Sequence, residues 1–496
     1  MNIHISQPKD RVTKRFLDSF ENLILILPAP QPKKWSVFPY CELLKRRLHK
    51  SGTTKLSSSP LVTDLPNIND THVTLCHINA DSNSFELLTV ARKLASIHDR
   101  RQAKNVAVYL PGFTGEKAET LAHAICAAVL ATNCELPVYK SGSKNRKKIR
   151  KLSILGLSQP IDFQRVRAEA EGNNLARQLT ALPPNELTPA SYNKKVKKLA
   201  SEMGWRYEFL GQARLKKEGA GAFLAVAQGS ENNDAGIIHL TYTPPSGQLN
   251  KKLSLVGKGV CFDTGGVNLK PAKHMHGMHE DMQGSAVALG SLLALSTLKA
   301  PFRIDCWLAL AENHIGPRAY KQNEIVTASN GTTIEVMHTD AEGRMMLSDT
   351  LAIASKHKPD LIIDYATLTG TCVYALSSRY SGAFTNQENF HTDLIEAGKL
   401  SGERVWPFPM DEDFDKALDS DLADIKQCTL SGDADHILAA RFLGKFAGKQ
   451  PWVHIDLSAG NHKGGLAQIP TDITGFGVRL TTSLLLDRRV LDGNEK

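Results

Sequence analysis

The chain has 496 residues, 42% hydrophobic and 22% charged, ordinary proportions for a globular protein but too long a chain for one hydrophobic core. No run approaches the ~18 apolar residues of a membrane span, and the early apolar stretch 23–27 is too short for a secretory leader. The net charge of +9 is uneven: residues 1–160 hold 24 Lys+Arg against 12 Asp+Glu, residues 161–496 hold 36 against 39.

The eight cysteines are scattered, with no CxxC pair, which excludes a zinc knuckle or a dithiol redox motif. Reduced, buried thiols and the missing leader together point to the cytoplasm. Residues 1–70 are rich in Lys, Pro and Ser, and no periodicity assigns elements there. From Thr71 the pattern alternates: strand 72–78, helix 85–97, strand 105–110, an Ala-rich helix 114–132, and then strands 136–139 and 152–157. The last two flank a basic segment, 140–151, which reads as a solvated hairpin loop. It could dock on nucleic acid, but no aromatic residue interleaves it to stack on bases, so that partner is not favoured. A helical connector over 162–182 ends at Pro183-Pro184.

The predicted organisation is thus an N-terminal basic α/β domain (1–160), a helical linker (161–187) and a larger α/β domain (188–496). In the last, strands are expected at 237–241, 253–256, 304–310, 334–336, 361–365 and 453–457. Helices fall at 278–298, 345–356, 393–400, 436–446 and 475–486. Alternation of this kind implies a mainly parallel sheet flanked by helices.

In such sheets ligands sit beyond the carboxyl ends of the strands. Polar residues cluster after four of the predicted strands: Lys258, Asp263 and Lys270 with Asp281 opening a helix; Asp340, Glu342 and Arg344; Thr367 to Gly370; and Ala459 to Asn461. Four carboxylates sharing one crevice repel unless cations are present. Hard oxygen ligands in that number suit two divalent metals.

These stretches resemble the leucyl (cytosol) aminopeptidase family. The octapeptide His338-Thr-Asp-Ala-Glu-Gly-Arg-Met345 is similar to the family's Asn-Thr-Asp-Ala-Glu-Gly-Arg-Leu. The segment 256–266, Leu269-Lys-Pro271 and Glu280-Asp-Met282 follow the family spacing, and the likeness continues through Thr367-Leu-Thr-Gly370, His454-Ile-Asp456, Ala459-Gly460 and Thr474-Gly475. The resemblance implies a two-metal aminopeptidase. One metal, zinc or manganese, would be held by Lys258, Asp263, Asp281 and Glu342. Asp263 and Glu342 would bridge to a second, completed by Asp340. It implies Lys270 and Arg344 as the catalytic pair, with a bicarbonate on Arg344 as general base. Met278, Thr367, Gly370 and Ala459 would line the pocket for the substrate's first side chain, with the Leu368 carbonyl facing the substrate backbone. It also implies a homohexamer acting on peptides.

That pocket holds no ionisable group, so apolar first residues such as Leu or Met are expected to be preferred. Lys258 must be neutral to ligate, and without metals it should pair with Asp263 or Asp281. Three positions depart from the pattern. His338 stands for Asn, as a hydrogen-bonding group or an extra ligand nitrogen; Gln283 and Ser285 stand for small residues after Asp281; and Met345 stands for Leu. Two rival readings stand beside this one: a two-metal phosphoesterase, against which a lysine ligand and the lack of a histidine cluster weigh, and a nucleic-acid-binding or regulatory protein built on the basic N-terminal region.

Overall fold

The computed structural model describes residues 3–29, 38–51, 59–79, 81–142, 148–245 and 250–492. They form two compact units, Met1–Ala170 with Gly464–Asp472, and Glu171–Lys463 with Ile473–Lys496. The division falls inside the helix Gln164–Thr180.

The first unit is built on β1 (His4–Ser6), β2 (Asn22–Ala29), β3 (Leu61–Asp64), β4 (His72–Asn79), β5 (Asn105–Tyr109) and β6 (Lys151–Leu155), in the order β1-β6-β5-β2-β4-β3. All pairs are parallel except β3 with β4. The apolar run 23–27 is the heart of the central strand. Its alternate residues serve two cores: Ile24 and Ile26 pack under α1 (Ser84–Arg100) and α2 (Gly115–Thr132), while Leu23, Leu25 and Leu27 pack with Leu17 and Leu44. A strand covered on both faces has no polar side, which explains why it carries no alternation. A reciprocal capping box between Asn83 and Glu86 starts α1.

The predicted hairpin is not formed. Residues 136–139 adopt no strand, and β6 instead runs parallel between β1 and β5. Pro137 removes a backbone donor from the first expected strand, and the parallel pairing uses both edges of β6. Most of the basic loop, residues 143–147, lies outside the described residues.

The second unit contains β7 (Arg206–Gly211), β8 (Gly236–Tyr242), β9 (Lys252–Asp263), β10 (Arg303–Asn313), β11 (Ile325–Thr327), β12 (Thr333–Glu335), β13 (Leu361–Ala366), β14 (Ser381–Thr385), β15 (Val405–Pro407), β16 (Ile425–Lys426) and β17 (Trp452–Asp456). Eight of them form one sheet, β15-β14-β17-β13-β9-β10-β8-β7. Its centre, β17-β13-β9-β10, is parallel, and antiparallel strands flank it. The chain is therefore α/β with mainly parallel sheets flanked by helices, as the alternation implies.

Three elements differ from expectation in ways that bear on the site. β9 does not end at Val256; it runs on to Asp263, so Lys258 lies within the strand rather than on a loop beyond it. The segment 334–336 does not join the main sheet; β12 belongs to a small sheet with β11 and β16. The helix expected at 278–298 is a 3-10 turn over Met278–Glu280 followed by α3 (Gln283–Thr297). α3 seats directly on β9 and β13: a Cβ on Gly257 would lie 2.4 Å from the Ser285 Cα, and one on Gly284 would lie 2.1 Å from the Tyr365 carbonyl oxygen. Only glycine allows that approach, and it brings the residues before α3 against β9.

Candidate metal centre and substrate cavity

The second unit holds a cavity of about 830 Å³ into which β9, β13, β17 and the turns after them converge. Asp263 closes β9. The turn that follows needs a left-handed residue at Gly265 (φ 86°), and a side chain there would press on the Asn268 carbonyl and the Asp340 carboxylate. Asp340 and Glu342 reach the cavity from the other direction, at the start of α4 (Glu342–Ser355).

Carboxylate oxygens of Asp263, Asp340 and Glu342 lie within 4.8 Å of one another. Two lysines stand among them. Lys258 Nζ is 2.8 Å from Asp281 Oδ2, 2.8 Å from Glu342 Oε1, and donates to the Thr367 carbonyl at 3.0 Å. Lys270 Nζ is 2.9 Å from Asp263 Oδ2 and 2.5 Å from Asp340 Oδ1. Lys258 therefore pairs with Asp281, as expected, but takes Glu342 rather than Asp263, which belongs to Lys270. Asp263 Oδ1 accepts from the Gly265 backbone at 2.9 Å and from Asn313 Nδ2 at 2.8 Å, and Asp281 Oδ1 accepts from Thr367 Oγ1 at 2.6 Å.

The electrostatics are those of a site overloaded with negative charge. Burial raises the Asp281 carboxyl to about 8, against the pull of Lys258 and with the push of Glu342 and Asp263. Burial, then Asp263, raises Asp340 to about 6, against Lys270. Glu342 is raised for the same reasons. Burial alone would lower Lys258 and Lys270, but the surrounding carboxylates outweigh it and hold both above the usual lysine value.

The residues fit divalent cations. Glu342 Oε2 is buried without a hydrogen-bond partner, a free ligand atom that the two ammonium groups leave unused. The donor set is carboxylate oxygen with amine nitrogen available on deprotonation, which suits hard or borderline dications.

Arg344, only 2% exposed, extends from α4. Its Nη2 donates to both oxygens of Asp435 at 2.9 Å, its Nη1 to the Gln427 carbonyl at 3.0 Å, and its Nε has no partner. His338 Nδ1 accepts from the Asp340 backbone at 3.2 Å, so that nitrogen shapes the turn. Burial, with Lys270 nearby, depresses its pKa.

Met278, Thr367, Leu368 and Gly370 line the cavity. Ala459 does not: it is fully buried, its backbone donating to Ser381, and its neighbours Leu457 and Ser458 stand at the wall instead. Sequence reasoning missed Asn313, Gln427 and Asp435, and it gave Asp456 no role although His454-Ile-Asp456 carries part of the resemblance. Each orients a site group. Asp456, for example, accepts from Leu368 N at 3.1 Å and Thr369 Oγ1 at 2.7 Å. Its position at the end of β17 was the available signal.

Comparison with known proteins finds relatives along most of the chain. Residues 174–482 match the catalytic domain of the cytosol aminopeptidase family. The probable cytosol aminopeptidase of Roseiflexus castenholzii is 36% identical over 409 residues, covering 80% of this chain and 83% of that protein. That of Synechococcus sp. is 38% identical over 410 residues, 78% of each. Among solved structures, a tomato leucine aminopeptidase mutant superposes with a TM-score of 0.87 at 28% identity, over 98% of this chain and 97% of that one. A bottromycin maturation enzyme in complex with Mn superposes with a TM-score of 0.81 at 27% identity, over 94% and 99%. With most of its length matched to that catalytic domain and such relatives aligned along four-fifths of it, the chain belongs to the cytosol aminopeptidase family and is a metal-dependent aminopeptidase, a hydrolase of peptides.

Proposed function

We propose that the enzyme removes single N-terminal residues with two divalent cations, zinc or manganese, held by Lys258, Asp263, Asp281, Asp340 and Glu342. The observation that carries this reading is the convergence of four carboxylates and two lysines on one cavity, with Glu342 Oε2 left without a partner. The cations, when bound, supply Lewis acidity to the scissile carbonyl and acidify water.

The chain's own residues divide the remaining work. Asp263 and Glu342 would be shared by both cations, with Lys258 and Asp281 completing the ligands of one and Asp340 those of the other. Lys258 joins as a ligand by giving up the proton that its ion pairs now hold. Lys270, released from Asp263 and Asp340 as their charge is neutralised, becomes the cation available to the developing oxyanion. Arg344, fixed by Asp435 and the Gln427 carbonyl, keeps its Nε for a bicarbonate, which would serve as general base; a planar guanidinium suits such an anion. Met278, Thr367 and Gly370 receive the first side chain, and the Leu368 carbonyl faces the substrate backbone. An uncharged wall favours an uncharged first residue such as leucine or methionine over aspartate or glutamate.

We further assign this activity to residues 188–496, with 161–187 linking them to the basic domain 1–160, in a homohexamer located in the cytoplasm. Among the described residues no helix is long and apolar enough to cross a membrane. The test is a metal-replacement assay on a panel of aminoacyl amides. Activity on leucyl amide should vanish with chelation and return with zinc or manganese. Activity that survives full metal removal, or equal cleavage of the N-acetylated substrate, would overturn the reading.

A further inference from the structure

Gln283 is the first residue of α3 and stands where the family pattern has a small residue. It is 3% exposed, yet it lines the cavity. No described residue hydrogen-bonds its side-chain amide. Its Oε1 lies against the turn after β17: a Cβ placed on Gly460 would meet it at 2.5 Å. Gln283 lines the same cavity as Met278, Thr367 and Gly370, where the proposed function places the substrate's first side chain. An amide on a cavity wall whose donor and acceptor no protein group engages can offer both to a polar ligand.

We infer that Gln283 reads the first side chain of the substrate, and that this pocket selects neutral, hydrogen-bonding side chains of the length of glutamine or asparagine. The inference rests on the pocket assignment above and sharpens it. An amide on the substrate can pair with the amide of Gln283 as both donor and acceptor. A wholly aliphatic side chain buries Gln283 without a partner. Acidic side chains lose the complementarity, because a carboxylate can use only the donor and adds charge to a site already crowded with it.

The test compares glutaminyl with methionyl substrates, which are nearly isosteric and differ in hydrogen-bonding capacity. In the wild-type enzyme kcat/KM for the glutaminyl substrate should equal or exceed that for the methionyl one. In Gln283→Met, which keeps the volume and removes the amide, the glutaminyl-to-methionyl ratio should fall by about tenfold or more, the discrimination typical of one buried hydrogen-bonding pair. Metal content, measured in parallel, should be unchanged. A ratio unaltered in a metal-replete Gln283→Met overturns the inference. So does a wild-type preference for methionine by about a hundredfold, a result that needs no variant. A shift in discrimination at the second residue and none at the first overturns it too, and traces the error to the pocket assignment. Failure of the wild type to cleave any free N-terminal residue would instead reject the proposed function.

Discussion

At the scale of residues, the site is a balance of charge that metals must complete. Lys258 and Lys270 each bind two carboxylates, and together they engage all four. Removing the most central carboxylate should therefore disturb both cation positions. Asp263→Ala is expected to lose both metals and Asp340→Ala mainly one, as elemental analysis of the purified variants would show; two full equivalents in Asp263→Ala would reject the bridging role. Lys270 is different, because the proposal gives it no metal. Lys270→Ala should keep both ions and lower kcat by about 10²–10³, the usual loss for a missing oxyanion donor. An unchanged kcat would make Lys270 a structural counter-ion only. Of these residues the motif 338–345 and the spacing 258–281 were readable from sequence, because short-range geometry alone aims Asp340 and Glu342. The sharing of carboxylates between the lysines was not, since it depends on which side chains meet across β9, α3 and α4.

At the scale of elements, the site exists because α3 lies unusually close to the sheet. Gly284→Val would drive a branched side chain into the Tyr365 carbonyl at 2.1 Å. Overpacking against backbone should destabilise the protein by at least about 2 kcal/mol and displace Asp281, so both the urea midpoint and metal occupancy should drop. The first unit has its own element-level constraint. His98 of α1 is buried, with Nε2 3.0 Å from Thr74 Oγ1 on β4. Burial, then His72 and Arg101, pushes its pKa down to about 3. The folded state thus holds His98 neutral while the unfolded chain protonates it near pH 6.5. Stability from this group is fully present above about 6.5 and drains as pH falls toward 3, by about 1.4 kcal/mol per pH unit at most. Between pH 6.5 and 5, unfolding of His98→Asn should be less acid-sensitive than that of wild type; equal slopes would show that His98 titrates normally.

At the scale of the whole molecule, the proposed homohexamer is a direct prediction. Light scattering at micromolar concentration should give a mass six times that of the chain, and a stable monomer would reject it. Residues 143–147 of the basic segment lie outside the described residues, and among the rest the expected hairpin is absent. The basic excess of residues 1–160 therefore stands as a property of the sequence, with no motif attached to it.

The sequence by itself determined the α/β class, most of the second unit's central strands and the charged residues that converge on the cavity. Those features are local: a period of two or of 3.6, a glycine where backbone must turn, carboxylates two residues apart. It did not determine β2, whose two buried faces erase any alternation. Nor did it place β12 in its own small sheet, because a three-residue strand has no pattern to read. Only the tertiary structure decided that β9 carries Lys258 in its interior, that Ala459 sits behind the cavity wall, and that Asp435 and Gln427 hold Arg344. Each of these depends on partners some 50 to 90 residues apart along the chain, and such distances close only when the sheet assembles.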